Sequence, residues 1–237
     1  MPDNNPKSNP HGLAIRFYLA DRVHTDIISH AVDGFPVRTG DEFLEMLRAT
    51  AGTSPDMTSP TPIETFLAAH PQALAFVKQP KPTPSSLARE VFFGVNAMRF
   101  TNAGGKSRFG RYRIAPDAGV DHLSDDVAAA KSETFLYDEL AERIASGPIV
   151  FHVKVQLAND EDTVDDATFH WPEDRPLVDL GTINLTAPAA DNAREQQHII
   201  FDPIPRVDGI DPSNDPLLEL RAAIYLISGL RRRAASQ

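Results

Sequence analysis

Leu13, Ile15, Phe17 and Leu19 alternate with smaller or polar neighbours through GLAIRFYLADRVHTDIISH, residues 12 to 30, which is the two-residue period of a strand with one face against a core. The stretch predicts a first strand, a turn near Ala20 to Arg22 and a second short strand around Thr25 to Ile28. In DEFLEMLRAT the period changes, and Phe43, Leu44 and Leu47 fall on one side of a short helix with Asp41 as its candidate cap. PIETFLAAHPQALAFVKQ, residues 62 to 79, is also helical in pattern; Pro71 kinks or splits it, because its ring removes a donor and crowds the preceding turn. VFFGVNAMRFTNAGGKSRFGRYRIAP, residues 91 to 116, predicts two strands joined by a tight turn at Asn102 to Lys106. VAAAKSETFLYDELAERIASG, residues 127 to 147, is helix again and stops at Gly147 as a C-cap would. PIVFHVKVQLA (148 to 158) and VDLGTINLT (178 to 186) return to strand, and the chain ends in a helix. Strands dominate the middle while helices are inserted or appended, so the pattern predicts an α+β protein built on an antiparallel β-barrel or sheet.

Proline clusters at SPDMTSPTP, QPKPTPSS and DPIPRVDGIDPSNDP mark loops, none with the character of an interdomain linker. At 237 residues the chain is expected to form one domain, residues 1 to 237, with length enough for a substantial core. The net charge of −10 argues against a phosphate backbone or an anionic membrane as partner. With no cysteine, disulfides, thiolate metal sites and iron–sulfur clusters are excluded. MPDNNPKSNPHG lacks the apolar run of a signal peptide, and no stretch reaches the ~18 apolar residues of a membrane span. The expectation is a soluble, unexported, cytoplasmic protein.

Several motifs carry less than they first suggest. NAGGKS, residues 102 to 107, ends like a phosphate-binding loop, but the first glycine would have to stand at position 100, which is Phe100. NDEDTVDD, residues 159 to 166, gathers five carboxylates without the central glycine or final glutamate of a calcium loop, and reads as a solvated loop. The eight histidines show no metal spacing; His152, alone on a strand, reads as packed or surface. There is no G-x-S-x-G elbow. Arg231 to Arg233, in so acidic a chain, read as closing a helix or binding a small anion.

The C-terminal helix carries the strongest chemical signal. Asn214 and Asp215 can cap it and Pro216 suits its first turn. Arg221 and Tyr225 lie four apart, on one face, with Cβ atoms roughly 5–6 Å apart, so the guanidinium can reach the phenolic oxygen. A cation there favours the phenolate, and a tyrosinate is a hard anionic ligand that some proteins place on haem iron. Alone, R-x-x-x-Y is equally what a buried tyrosine covered by a surface arginine would show.

Its surroundings add to this. FDPIPRVDGIDPSNDPLLELRAAIY supplies Phe201-Asp202-Pro203, Gly209-Ile210, Arg221 and Tyr225 in the order and approximate spacing of the proximal segment of catalases. NPHGLAIRFYLADRVHTDI is similar to that family's D-P-R-G-x-A-V-K-F-Y strand, and FHWPEDRPLVDLGTINLT to its W-P-x-x-x-x-P-L-x-x-x-G-x-x-x-L segment. Over roughly residues 8 to 233 the chain resembles the catalase-like superfamily, specifically its small haem-dependent, catalase-related peroxidases. The resemblance implies a catalase-like antiparallel barrel that binds haem b, with Tyr225 as iron ligand and Arg221 as its charge partner. It makes Asn102 the distal asparagine that hydrogen-bonds peroxide, and Arg232, seven residues after the tyrosine, the partner of a haem propionate.

The chain departs from the family pattern in three places. Ala223 and Ile227 stand where the signature R-x-F-x-Y-x-D has Phe and Asp. The family's distal histidine lies on strands upstream of the D-P-R-G segment, and none of the eight histidines here aligns with it. The barrel is therefore expected to be incomplete at its N-terminal strands, with unpaired edges. Loss of that general acid–base would slow turnover by about 10²- to 10⁴-fold. The implied activity is breakdown of hydrogen peroxide or organic peroxides with an unspecified electron donor. The alternatives are a haem- or small-ligand-binding barrel without turnover and, further off, an isomerase of fatty-acid hydroperoxides. Self-association stays open.

Overall fold

The computed structural model describes residues 1–5 and 7–235. Strands β1 (Gly12–Ala20) and β2 (Val23–His30) form a hairpin. Both run longer than the expected second strand suggests, because the reversal takes only Asp21 and Arg22, the latter at φ 59°. Helix α1 (Gly40–Ala51) is capped by Thr39 rather than Asp41: the Thr39 hydroxyl accepts from Glu42 N–H while the Glu42 carboxylate accepts from Thr39 N–H, a reciprocal box that satisfies two orphan donors. Pro71 splits the next helix into α2 (Pro62–Ala69) and α3 (Pro71–Lys78).

Residues 91 to 116 hold three strands instead of two. β3 (Phe92–Phe93) and β4 (Met98–Thr101) pair with different halves of β5 (Ser107–Pro116). Between them the backbone leaves the ladder at Gly94, where a Cβ would sit 3.1 Å from that of Tyr112, and at Asn96, whose side chain bonds elsewhere. The expected helix over 127 to 147 is interrupted at 130–134, giving α4 (Asp125–Ala129) and α5 (Phe135–Ser146); Gly147 ends it, donating its N–H to Arg143 and Ile144 carbonyls. β6 (Ile149–Leu157) and β7 (Leu177–Leu185) follow the expected ranges. Two elements carried no periodic signal: α6 (Asn192–His198) and the three-residue β8 (Ile210–Pro212). Helix α7 (Pro216–Ala234) starts at Asp215, whose carboxylate accepts from Leu217 N–H, with Pro216 in its first turn.

All pairings are antiparallel. β1, β2, β3 and β5 follow one another, β4 and β8 continue beside β5, and β6 and β7 extend its other side. The sheet curls so that edge strands β1 and β7 face one hollow of about 310 Å³, lined by Phe17 and Leu19 of β1 and Leu180 and Thr182 of β7. This is an open half-barrel in an α+β protein, as the pattern predicted. Alternation along β6 buries Ile149, Phe151, Val153 and Val155 against Phe92, Met98, Tyr112 and Ile114.

β5 is buried on both faces. Tyr112 and Ile114 point to the main core, whereas Arg111 and Arg113 point the other way. Arg111 is fully buried, stacked 4.3 Å from the Trp171 ring and donating to the Asp166 and Phe169 carbonyls. Arg113 donates to Asp33 Oδ2 at 3.0 Å and to Gln156 Oε1. These guanidinium groups fasten the loops that follow β2 and β6 to the back of the sheet. The acidic loop 159–166 is accordingly less solvated than expected: Asp162 holds Arg175 through two bonds of 2.8 and 2.9 Å, and Asp166 is buried.

Candidate active site

The face of β2 that carries Asp26, Ile28 and His30 looks toward the C-terminal segment. Asp26 is completely buried and bound by both ends of the Arg16 guanidinium. Its Oδ2 also accepts from Asp202 N–H at 2.8 Å, and Arg16 donates to the Ile200 carbonyl and lies 5.3 Å from the centre of the Phe201 ring. The Phe201-Asp202-Pro203 stretch is thus pinned to the hairpin. Pro203 and Pro205 then floor a hollow completed by Asp26, Ile28, Gly94, Asn96, Leu218 and Arg221.

Arg221 and Tyr225 meet as their spacing predicts. Arg221 Nε and Nη2 both donate to Tyr225 Oη, at 3.1 and 2.9 Å, and Nη1 donates to Asn96 Oδ1. Asn96 Nδ2 in turn donates to Asp215 Oδ2 at 2.8 Å. One connected chain of bonds therefore runs from the cap of α7 through Asn96 and Arg221 to the phenol. The three Arg221 nitrogens donate to neutral oxygens, so its charge is available to any anion at Tyr225 Oη.

These residues fit a haem group. A phenolic oxygen held by two N–H bonds from a guanidinium is a fixed, hard oxygen donor of the kind that tyrosine offers to haem iron. Around it α7 leaves Ile224, Leu226, Ile227 and Leu230 about half exposed, an apolar surface for a flat apolar ring. Ala223 and Ile227 themselves are exposed, so the departures from the signature fall on the surface rather than in the core.

The other expected site residues lie elsewhere. Asn102 sits in the turn between β4 and β5, where its Oδ1 accepts from Gly104 and Lys106 N–H at 3.0 Å each; no bond links it to Arg221 or Tyr225. Arg232 lies two turns beyond Tyr225 and donates to Ser228 Oγ and to the Ile199 carbonyl. Together with Arg233, which donates to the His198 carbonyl, it closes the end of α6, so the arginine run caps a neighbouring helix. His152 is half-exposed and bonds Asp117 Oδ1 at 2.9 Å. Among the described residues no cluster of His, Asp or Glu is arranged to hold a metal ion, and no helix is long and apolar enough to cross a membrane.

Sequence reasoning missed Asn96 and Asp215 in its second role. Asn96 stands in the same GVNAMRF stretch as the strand break, but nothing local marks it as the partner of a residue 125 positions later.

The family profile described as Catalase matches residues 3–236. A catalase-related peroxidase of Mycolicibacterium paratuberculosis is 33% identical over 220 residues, 92% of this chain and 69% of that protein. Another from Synechococcus elongatus is 30% identical over 98% of this chain and 71% of its own length. Among solved structures, a fungal catalase superposes with a TM-score of 0.82 at 22% identity, covering 98% of this chain and 49% of that one. Catalase A from Saccharomyces cerevisiae gives the same score and identity over 50% of its length. The chain spans about two thirds of the related peroxidases and half of the solved catalases. By the extent of these matches and the order of its proximal segment, the chain belongs to the catalase family.

Proposed function

We propose that the chain binds haem b through Tyr225 and takes part in the breakdown of hydrogen peroxide or organic peroxides. The observation that carries this reading is the double donation of Arg221 to Tyr225 Oη, backed by Asn96 and Asp215. Tyr225 would supply the oxygen ligand and Arg221 the two N–H donors that orient it. Arg232, on the same face two turns on, would meet a propionate by exchanging its bond to Ser228. Bound there, haem would contribute a redox-active iron at which the O–O bond is cleaved. What the protein does is hold the phenolate, fix its direction, and present an apolar surface that excludes water. Asn102, whose amide oxygen accepts from Gly104 and Lys106 N–H, would offer peroxide its Nδ2 donors. That the related proteins are peroxidases supports the activity.

The test is a haemin titration of wild type and Tyr225→Phe followed by absorption and resonance Raman spectroscopy. Wild type should show a Soret band with phenolate–iron vibrations, and Tyr225→Phe should lose them. Identical spectra, or no uptake by wild type, would sink the reading. Oxygen release from hydrogen peroxide by the loaded protein then separates turnover from binding alone.

A further inference from the structure

The hollow of about 310 Å³ between edge strands β1 and β7 is floored by Ile27 of β2 and Val153 of β6, and no charged side chain lines it. Its volume lies at the lower end of the range for small-molecule sites, which are mostly apolar with a few polar groups. Ile27 and Tyr112 also border the hollow at Arg221, so they form a wall between the two.

Both edge strands are bent at this place. In β1 the register shifts between Tyr18 and Ala20, which leaves Leu19 without a cross-strand partner. In β7 it shifts where Val153 meets Gly181 and Lys154 meets Asp179, which leaves Leu180 unpaired, and Gly181 takes φ 126° to make the bend. The two unpaired leucines both line the hollow. A bulge re-aims a side chain and disrupts the edge on which a further strand would dock. The edges therefore suit a small molecule held between them better than an added strand.

Three hydroxyls supply the polar groups. Tyr112 is buried, yet its Oη has no hydrogen-bond partner among the described residues. Burial pushes its pKa up to about 12, so the phenol stays a donor near pH 7. The Thr25 and Thr182 hydroxyls line the same space, also without a bond among the described residues. A carboxylate placed there would lose its solvation and find no counter-charge, whereas a neutral oxygen would find a donor.

We propose that the hollow is a binding site for a neutral, medium-chain amphiphile of the aliphatic alcohol class, its chain between Leu19 and Leu180 and its oxygen on the Tyr112 hydroxyl. The space admits on the order of ten heavy atoms, taking for each the share of one liquid water, about 30 Å³. The site is separate from Tyr225 and does not rest on haem binding.

1-Decanol is the probe, titrated into the full chain by isothermal calorimetry, with decanoate at pH 8 as its charged counterpart. Wild type should bind one decanol saturably and decanoate at least about tenfold more weakly. Thr182→Trp puts a strand-compatible aromatic at an exposed edge position, where it should fill the hollow and raise the decanol Kd about tenfold or more. Tyr112→Phe, which removes one hydrogen bond and little else, should raise it about two- to tenfold. Absence of saturable binding by wild type would overturn the proposal, as would an unchanged Kd in either variant or equal Kd values for decanol and decanoate. A wild-type dimer that Thr182→Trp dissociates in sedimentation would also overturn it, because a second copy would then cover the hollow.

Discussion

Arg16 and Asp26 stand directly opposite each other in the β1–β2 hairpin and are joined at both ends, Nε to Oδ1 at 2.8 Å and Nη2 to Oδ2 at 2.7 Å. Asp26 also accepts from Asp202 N–H, so its removal strands a largely buried guanidinium and a backbone donor together. Breaking such a pair from one side costs about 3–5 kcal/mol. Asp26→Ala should lower the urea midpoint accordingly with an unchanged slope; a loss below about 1 kcal/mol would show that Arg16 finds another partner.

Arg221→Lys keeps a cation but cannot place two N–H groups on one phenolic oxygen. Groups that orient a metal ligand are typically worth about 10- to 100-fold in affinity. Haemin should bind the variant weaker by that factor while thermal stability changes little. Wild-type affinity would mean that the charge alone, not the fork, supports Tyr225.

Asp215→Ala removes the α7 cap and leaves Asn96 Nδ2 without an acceptor. Cap loss costs about 0.5–2 kcal/mol and the unsatisfied buried donor about 1–3 kcal/mol, so a total near 2–4 kcal/mol is expected. Asp215→Asn, which retains a cap oxygen, should lose less. Equal losses in the two variants would show that the carboxylate charge, rather than the cap, is what matters.

His30 links stability to pH. Its folded pKa of about 4 lies below the ordinary value of 6.5, so between these values the unfolded chain binds more protons than the folded one. Folded stability is therefore full above roughly pH 6.5 and falls as pH drops toward 4, by an amount on the order of 3 kcal/mol. Chemical denaturation of wild type and His30→Gln at pH 7.5 and pH 4 isolates this contribution. The gap between them should shift against wild type at the lower pH, and a constant gap would contradict the burial of a neutral imidazole.

Gly110 shows how closely β5 and β6 approach. A Cβ there would lie 2.3 Å from Val155 Cγ1, 3.1 Å from the Gln156 carbonyl oxygen and 3.2 Å from Phe100 Cε2. Gly110→Ala should cost about 1–3 kcal/mol through overpacking. A neutral effect in thermal denaturation would mean that the strand pair can spread.

The parts of this fold that were legible in the sequence are those set by local period or local chemistry. Alternation in residues 12 to 30, the split at Pro71, the stop at Gly147 and the Arg221–Tyr225 spacing each depend on neighbours a few residues away, and each appears in the structure. Thr39 displaced Asp41 as the cap because the Thr39–Glu42 pair satisfies two donors at once, a signal present but unread. The break at Gly94 to Asn96 and the interruption at 130–134 between α4 and α5 were hidden because neither GVN nor AKSET holds a proline or turn pair that marks where a backbone must turn aside. Buried arginines on the back of β5 were equally hidden, since their partners Asp33, Gln156 and Trp171 are scattered along the chain. The site was legible on its α7 side only: Asn96 reaches it through tertiary packing that no motif around it announces.

Asp215 has one oxygen on the first turn of α7 and the other on Asn96, which in turn holds Arg221. The carboxylate that decides where the helix begins thus also decides how the phenol is aimed. A slip of α7 by one residue would carry Arg221 and Tyr225 together about 100° around the helix axis, away from Asn96. If Tyr225 ligates haem iron as proposed, correct docking of the last helix is a precondition for loading, and a misassembled chain would be unable to arm itself with a redox centre.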